Sequence, residues 1–350
     1  MSASLPPLRS ARIWRCAGRA VLVYPRGAWV AAGLALLALA LVAFELLAGR
    51  MVLAPSQVLA SLVGRGDGGI VDRIVLDIRL PRALAALFAG AALGVSGAVF
   101  QSVSRNALGS PDVIGFTTGA ATGAIMQIVL FDQGALQVAL AAVAGGVATA
   151  VLVYLLSLRD GVSGGYRLVL VGVGVGAVLD ALNGLMLVEG DLDNAVMANL
   201  WRAGSLDARN WGHAVPAAIG VGVLLPCVLA LARRLEIIEM GDDLARQLGV
   251  PVERTRLLAI ACAVVLAALA TGAVGPIAFV ALAAPQLAAR LCGGGRLPVL
   301  ASAALAACLL LFADLLAQSL PGRLTLPIGR VTGIVGGIYL MWLLTRTRRG

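Results

Sequence analysis

Residues 79–123 read RLPRALAALFAGAALGVSGAVFQSVSRNALGSPDVIGFTTGAATG and consist of two apolar runs separated by a short polar turn. The runs cover approximately residues 81–103 and 111–131, and each reaches the roughly 20 residues that a helix needs to cross the hydrocarbon core of a bilayer. Pro81 lies near the start of the first run, where a proline is tolerated because the first backbone N–H groups of a helix have no intrahelical partner. The stretch therefore predicts two membrane-spanning helices.

The rest of the chain has the same character. Of its 350 residues, 60% are apolar and 13% are charged, whereas a soluble domain carries about 25% charged residues. This composition excludes a soluble enzyme and predicts an all-α polytopic membrane protein. Ten transmembrane helices are predicted, at approximately 28–48, 81–103, 111–131, 135–158, 168–188, 213–232, 257–276, 277–292, 297–319 and 326–345.

The basic residues orient these helices. All 27 are arginines, and with the N-terminus in the cytosol 18 of them fall on the cytosolic side, eight on the outer side and Arg330 at a boundary. This bias follows the positive-inside rule and places both termini in the cytosol. The predicted organisation is a cytosolic arginine-rich N-terminus (1–27), a single ten-helix domain (28–346) with a charged cytosolic segment (233–256), and a cytosolic tail (347–350). Arginines that flank apolar runs indicate membrane orientation rather than nucleic-acid binding.

The absence of lysine excludes a standard P-loop ATPase, because the Walker A motif requires a lysine on the nucleotide phosphates. Any ATP would be used by a partner. No cluster of histidine, cysteine or acidic residues predicts a catalytic or metal site, and no cofactor is implied. A membrane enzyme is therefore not favoured.

A weak internal repeat relates the two halves of the chain. Residues 87–99 (LFAGAALGVSGAV) align with residues 262–274 (CAVVLAALATGAV) at an offset of 175. In the predicted topology the two stretches cross the membrane in opposite directions, as in the inverted repeats of transporters. Small residues that serve only close helix packing are the alternative explanation.

Ionisable side chains inside the apolar runs are candidates for function, because hydrocarbon solvates them poorly. Asp180 and Asn183 are three residues apart and share one helical face, which predicts either a polar stripe along a transport pathway or a pair bonded within the bundle. The same candidate pathway lining includes Gln101, Thr118 and Gln286. An ion-coupled secondary transporter, with Asp180 or Asp314 carrying a proton, remains an alternative.

Two groups of charges lie outside the membrane runs. Arg79 and Arg82 face one way at the outer surface, where they invite an acidic partner or anchor the helix by snorkelling. The cytosolic segment 233–256 carries ten charged residues in 24, which favours a docking surface about as much as a simple polar loop. Within it, residues 242–249 predict a short helix with acidic residues at its start and Gly249 at its end.

The stretch at 79–123 resembles the signature of FecCD-type permeases, the membrane subunits of ABC importers for iron-siderophores, haem and cobalamin. The second half agrees through LARQLGVPVERTR (244–256), GPIAFVALAAPQLAARLCG (275–293), FADLLAQ (312–318) and LPIGRVTGIVGGIYLMWLL (326–344). The resemblance implies a fold like that of the cobalamin-importer permease, in the bacterial cytoplasmic membrane. It also implies a second permease subunit, identical or paralogous, two cytosolic ATPase subunits and an extracytoplasmic binding protein.

The resemblance further implies roles for particular residues. Arg79 and Arg82 would dock the binding protein, and Arg323 would replace a third family arginine whose position is Gln318 here. Arg330 stands where the family commonly has an apolar residue, and it is expected to pair with Asp314. The ATPase-coupling residues would be Asp242, Asp243, Ala245, Arg246, Gln247, Leu248 and Gly249, and the cytoplasmic gate would comprise Asn106, Leu108, Ser163 and Gly164.

The same resemblance guides the expected substrate. The stretch GPIAFVALAAPQ is closer in appearance to the ferric-siderophore branch than to the cobalamin branch, where a histidine usually follows the proline that Gln286 follows here. A ferric siderophore is therefore the expected substrate. Cobalamin and haem remain alternatives.

Overall fold

Helices account for nearly all of the computed structural model, which describes residues 12–16, 19–23, 25–49, 51–66, 68–112, 114–131, 135–159, 162–163, 165–294, 296–319 and 327–347. Two short antiparallel hairpins accompany them, β1 (Arg12–Cys16) with β2 (Arg19–Val23) and β3 (Leu158–Arg159) with β4 (Val162–Ser163). The helices are α1 (Pro25–Leu47), α2 (Pro55–Leu62), α3 (Ile70–Arg73), a π-helical segment (Ile74–Arg79), α4 (Leu80–Ser104), α5 (Phe116–Phe131), α6 (Ala135–Ser157), α7 (Gly165–Glu189), α8 (Leu192–Arg202), α9 (Trp211–Glu239), α10 (Asp242–Gln247), α11 (Val252–Val274), α12 (Val280–Cys292), α13 (Val299–Ser319) and α14 (Ile328–Thr347).

Within the described ranges, seven helical runs are long and apolar enough to cross a membrane. They comprise α1, the continuous run Ile70–Ser104, most of α6 and α7, and the whole of α9, α11 and α13. The apolar helices α5 and α12 are shorter, with 16 and 13 residues, so they extend only about 24 and 20 Å. The prediction of a polytopic helical membrane protein is confirmed at this level.

Several predicted boundaries are wrong for local reasons. The run predicted at 111–131 becomes helical only at Phe116, because residues 111–112 and 114–115 form turns and Gly115 has a φ of +75°. The run predicted at 277–292 becomes helical only at Val280, since Phe279 takes a left-handed conformation with a φ of +67°. Within the region predicted at 1–27, the β1–β2 hairpin precedes α1, which begins at Pro25. The cytosolic placement of this region stays a prediction.

Helix α4 lies at the centre of the bundle, in contact with α9, α11, α12 and α13. Its buried face consists largely of alanine, glycine and serine, which lets neighbouring backbones approach closely. A Cβ on Gly97 would lie 1.8 Å from the carbonyl oxygen of Ala281 in α12. Ser96 donates a hydrogen bond of 2.8 Å to the carbonyl of Ala263 in α11, so the two stretches of the predicted repeat pack directly against each other.

The outer helices present large apolar side chains. Trp29, Leu36 and Phe44 are exposed on α1, and Val178 and Leu185 are exposed on α7. Apolar surfaces of this extent mark contact with lipid or with another subunit. The sides of the bundle formed by α1 and α7 are therefore suited to an apolar environment.

Candidate functional site

Arg79 lies just before the start of α4 and closes the end of α1. Its guanidinium donates hydrogen bonds of 2.8 and 3.2 Å to the carbonyl oxygens of Leu46 and Leu47, and another to the carbonyl of Met51. The last carbonyls of a helix have no intrahelical partner, and a positive charge at that end interacts favourably with the helix dipole. In the structure Arg79 thus acts as a cap for α1.

Arg82 forms a two-pronged ion pair with Asp314 of α13. The distances are 2.7 Å from Nη2 to Oδ1 and 2.9 Å from Nε to Oδ2. The remaining nitrogen, Nη1, lies 3.0 Å from Oδ1 of Asp207, and Gln318 donates a bond of 2.9 Å to Asp314. The Asp314 side chain is fully buried, so this bidentate pair belongs to the strong class of charge-assisted hydrogen bonds.

The expected pairing of Asp314 with Arg330 is wrong. Asp314 faces the outer start of α4, where Arg82 satisfies both of its oxygens, whereas Arg330 lies in the first turn of α14 and lines a separate cavity. Glu45 in α1 is also buried near this cluster, and neither of its carboxyl oxygens has a hydrogen-bond partner within the described residues.

The docking role of the outer arginines stays a prediction. The side chain of Arg82 is 23% exposed, and both Arg79 and Arg82 are engaged inside the chain. An acidic partner would have to share or replace those contacts. Arg323 lies outside the described residues.

At the end of the bundle where α4 terminates, the predicted short helix is confirmed as α10. It begins after Gly241 (φ +126°), and the chain leaves it at Gly249 (φ +77°). Ala245 is fully buried against Ile238, Val250 and Val252. The opposite face is open to solvent and carries Asp243, Leu244, Arg246, Gln247 and Leu248. Helix α10 is thus anchored on one face and exposes a charged and apolar face to solvent.

Asp242 differs from its neighbours because it turns toward the protein. Its carboxylate accepts hydrogen bonds of 3.0 and 3.1 Å from Nη2 of Arg256 and another from Arg105. Arg256 is 1% exposed and also donates a bond of 2.6 Å to Glu253. Sequence reasoning missed both arginines, since the contact with Arg105 spans 137 positions and leaves no local pattern.

The turn that follows α4 contains the first two predicted gate residues. Oδ1 of Asn106 accepts a hydrogen bond of 2.9 Å from the backbone of Leu108, whose side chain is exposed. Gln286 of α12 donates a bond of 2.6 Å to the carbonyl of Ala107, and Gln101 donates one of 2.9 Å to Leu282 of α12. Ser163 lies in β4, and Gly164 falls outside the described residues.

The predicted pathway residues separate into different environments. Thr118 and Asp180 line a partly open cavity of about 500 Å³, together with Asp112, Thr117, Arg202 and Arg330. Asp180 lies 3.2 Å from Nη2 of Arg202 and is 64% exposed. Asn183 is fully buried and has no side-chain hydrogen bond within the described residues. Asp180 and Asn183 are three residues apart on one helix, but one side chain is exposed and the other is buried.

The two glutamines lie apart from that lining. Gln101 lines a cavity of about 810 Å³ at the end of α4, with Arg105 and Asn106, and Gln286 is 9% exposed against the turn after α4. Both act in the structure as links between α12 and the end of α4. A role in lining the pathway stays a prediction for all five residues.

Comparison with known proteins gives these features a context. The model of the FecCD transport family matches residues 36–346. The chain is 47% identical over 301 residues to the ferric enterobactin transport system permease protein FepG of Escherichia coli. The aligned region covers 86% of this chain and 91% of FepG. It is 37% identical over 325 residues to FepD of the same organism, across 91% and 95% of the two chains.

A solved structure matches as well. It is described as an inward-facing conformation of a metal-chelate type ABC transporter. The two structures superpose with a TM-score of 0.78 at 27% sequence identity, and the match covers 91% of this chain and 99% of the chain in the solved structure. The matched relatives are transport permeases rather than enzymes. The resemblance that the sequence motifs predict is confirmed, and the chain belongs to the FecCD transport family.

Proposed function

We propose that the chain is one permease subunit of an ABC importer that moves a ferric siderophore across the bacterial cytoplasmic membrane. The observation that carries the proposal is the 47% identity, over 86% of the chain, to a permease named for ferric enterobactin. Because the chain lacks the lysine of a Walker A motif, the ATP would be hydrolysed by two separate cytosolic subunits. An extracytoplasmic binding protein would deliver the substrate.

The second permease subunit is proposed to be a paralogue rather than an identical copy. The ferric enterobactin system of E. coli has two permease proteins with different names, and this chain matches them at 47% and 37% identity. A chain that resembles one of the two more strongly fits one specific half of a heterodimer.

The proposed topology has ten spans, with both termini in the cytosol. Ten of the described helices overlap the ten predicted runs, seven of them within runs long and apolar enough to cross a membrane, and the arginine bias supports the orientation. The short helices α5 and α12 would be completed at membrane depth by the non-helical segments before them, which is tolerated where such backbone is buried in protein. Residues 1–27 and 347–350 would be cytosolic, and the direct packing of α4 on α11 is compatible with the inverted repeat.

The exposed face of α10 is proposed to dock into the ATPase. Exchanging the charges with Asp243→Arg and Arg246→Glu keeps an ion pair within the helix, so folding should be little affected. The exchange inverts the charge pattern that the partner meets, and we expect ATPase association to weaken by about tenfold or more, since like-charge contacts suppress binding. Co-purification from membranes measures this. The matched control is Asp193→Arg, an exposed carboxylate on the predicted outer side, and equal retention of the ATPase by both variants would remove the coupling role.

Arg323 gives a clean test of binding-protein docking. Reversal of Arg79 or Arg82 would remove contacts that each makes within the chain, whereas Arg323→Glu leaves both of these arginines in place. If the outer arginines attract acidic groups on the binding protein, Arg323→Glu should lower its association rate and reduce the salt dependence of that rate. Stopped-flow or surface-binding kinetics measure both, and unchanged kinetics would argue against a docking role for Arg323.

The substrate is tested by uptake of radioactive iron on a panel of siderophores, in cells that lack the chain and in the same cells complemented. We expect loss for one class of ferric chelate, restored by complementation and abolished by ATP depletion. Labelled cobalamin and haem serve as the competing substrates. Uptake that survives ATP depletion and collapses with an uncoupler would instead indicate a secondary transporter.

A further inference from the structure

We infer that the ion pair between Asp242 and Arg105 transmits movement of α10 to the turn after α4, which makes both of them positioning residues for the cytoplasmic gate. The inference rests on the proposed function, in which α10 is the ATPase contact. Its basis is the opposite orientation of two adjacent carboxylates. The side chain of Asp243 is 93% exposed on the partner-facing side, whereas Asp242 is 22% exposed and bonded inward.

On one side, Asp242 is fixed to α11. Arg256 is buried and bonds both Asp242 and Glu253, so two carboxylates hold one desolvated guanidinium. The backbone N–H of Val250 also donates a bond of 2.9 Å to the carbonyl of Ala245, and Ala245 is buried. Helix α10 and the start of α11 therefore form one stiff unit, and Asp242 cannot swing away when a partner pushes on the exposed face.

On the other side, Asp242 reaches Arg105, the residue that terminates α4. Arg105 takes a left-handed conformation with a φ of +49°, which is disfavoured for a residue with a Cβ. The backbone bonds of the helix end close this turn, since the N–H of Arg105 donates a bond of 3.2 Å to the carbonyl of Ser102. The guanidinium of Arg105 also pairs with Asp242, and charge-assisted bonds are stronger than neutral ones. The ion pair thus ties the residue that ends α4 to α10.

The turn beyond Arg105 is itself stiff. The N–H of Asn106 donates a bond of 3.1 Å to the carbonyl of Gln101, and the N–H of Gly109 donates one of 2.9 Å to the carbonyl of Asn106. Gln286 of α12 then holds the carbonyl of Ala107 at 2.6 Å. A shift of α10 would pass through Asp242 and Arg105 into this turn and onward to α12, through contacts that are all present in one chain.

The experiment uses the complete importer in proteoliposomes and measures iron transported per ATP hydrolysed. Arg105→Gln removes the charge at a side chain that is 40% exposed, so folding should tolerate it. We expect ATPase association and basal hydrolysis to stay within about twofold of the unaltered complex, while iron moved per ATP falls about tenfold. Asp242→Asn should show at least the same loss. Arg105→Lys, which keeps the charge, should recover part of it.

Matched controls are Arg26→Gln and Asp193→Asn, exposed charged groups outside segment 233–256 and outside the ion-pair chain, and both should keep the normal ratio. A normal ratio in Arg105→Gln would overturn the inference. A parallel fall of ATPase association and transport would overturn it too, since that result indicates only a structural support for docking. If Asp242→Asn fails to assemble, Arg105→Gln and Arg105→Lys still decide the question. Failure of the unaltered complex to transport with ATP would refute the proposed function itself, independently of these variants.

Discussion

Asp314→Asn is expected to lower the free energy of unfolding by about 3–5 kcal/mol, the cost typical of removing one partner from a buried ion pair. The Asp314 side chain is fully buried and binds Arg82 through two hydrogen bonds of 2.7 and 2.9 Å. The neutral amide cannot balance the guanidinium, so Arg82 would keep a single carboxylate, that of Asp207. Thermal unfolding of the purified protein in detergent measures the loss, together with its abundance in membranes.

Asp207→Asn is the matched control. It removes the other carboxylate of the same arginine, but its side chain is 52% exposed, and exposed pairs are worth about 0–1 kcal/mol. The double variant Arg82→Met with Asp314→Leu should recover most of the stability, because well-packed apolar residues often replace a buried pair without loss. If Asp314→Asn and Asp207→Asn lowered the free energy of unfolding equally, the buried ion pair would contribute no more to stability than the exposed one.

Gly97→Ala is expected to disrupt the packing of α4 on α12. The added Cβ would lie 1.8 Å from the carbonyl oxygen of Ala281 and 2.7 Å from its carbonyl carbon. Both atoms belong to backbone, so no side-chain rotation relieves the clash and the helices must separate. Overpacking of a tight core costs about 1–3 kcal/mol and occasionally more, and we expect the upper part of that range or beyond.

Gly174→Ala provides the control, because it makes the same substitution in helix α7 at a site where nothing lies within 4 Å. There the change should be neutral or stabilising by up to about 1 kcal/mol, as alanine is the better helix former. The two variants are compared by unfolding temperature and by the fraction that elutes as a single species. A stable Gly97→Ala protein would mean that α4 and α12 are not packed as described.

The sequence was sufficient to predict seven of the membrane runs and α10. Long apolar runs determine spans because hydrocarbon demands them, and the acidic pair with Gly249 marks a short helix through local rules. The breaks within the apolar runs were not predictable in the same way. Residues 275–279 look like part of a continuous apolar run, yet Gly275 and Phe279 have φ values of +78° and +67°, which hydrophobicity does not register.

The ion pairs between residues far apart in the sequence were not predicted correctly. Asp314 was expected to pair with Arg330, which is close in sequence, but its partner Arg82 is 232 positions away. Asn183 and Asp180 share a helical face by spacing, yet one is buried and the other is open, because the neighbouring helices decide what each side chain meets. A single sequence specifies periodicity and local termination, whereas the packing order of the helices determines which charges meet.

The most direct test of the account is ATP-driven transport by the reconstituted importer. Proteoliposomes would contain this chain, its partner permease and the two ATPases, with the binding protein and a radioactive ferric siderophore on the side that corresponds to the cell exterior. We predict accumulation of iron inside the vesicles only when ATP is available on the ATPase side, and no accumulation when this chain is omitted. Accumulation that is independent of ATP, or unchanged without the chain, would contradict the proposal that it forms half of an ABC import pathway.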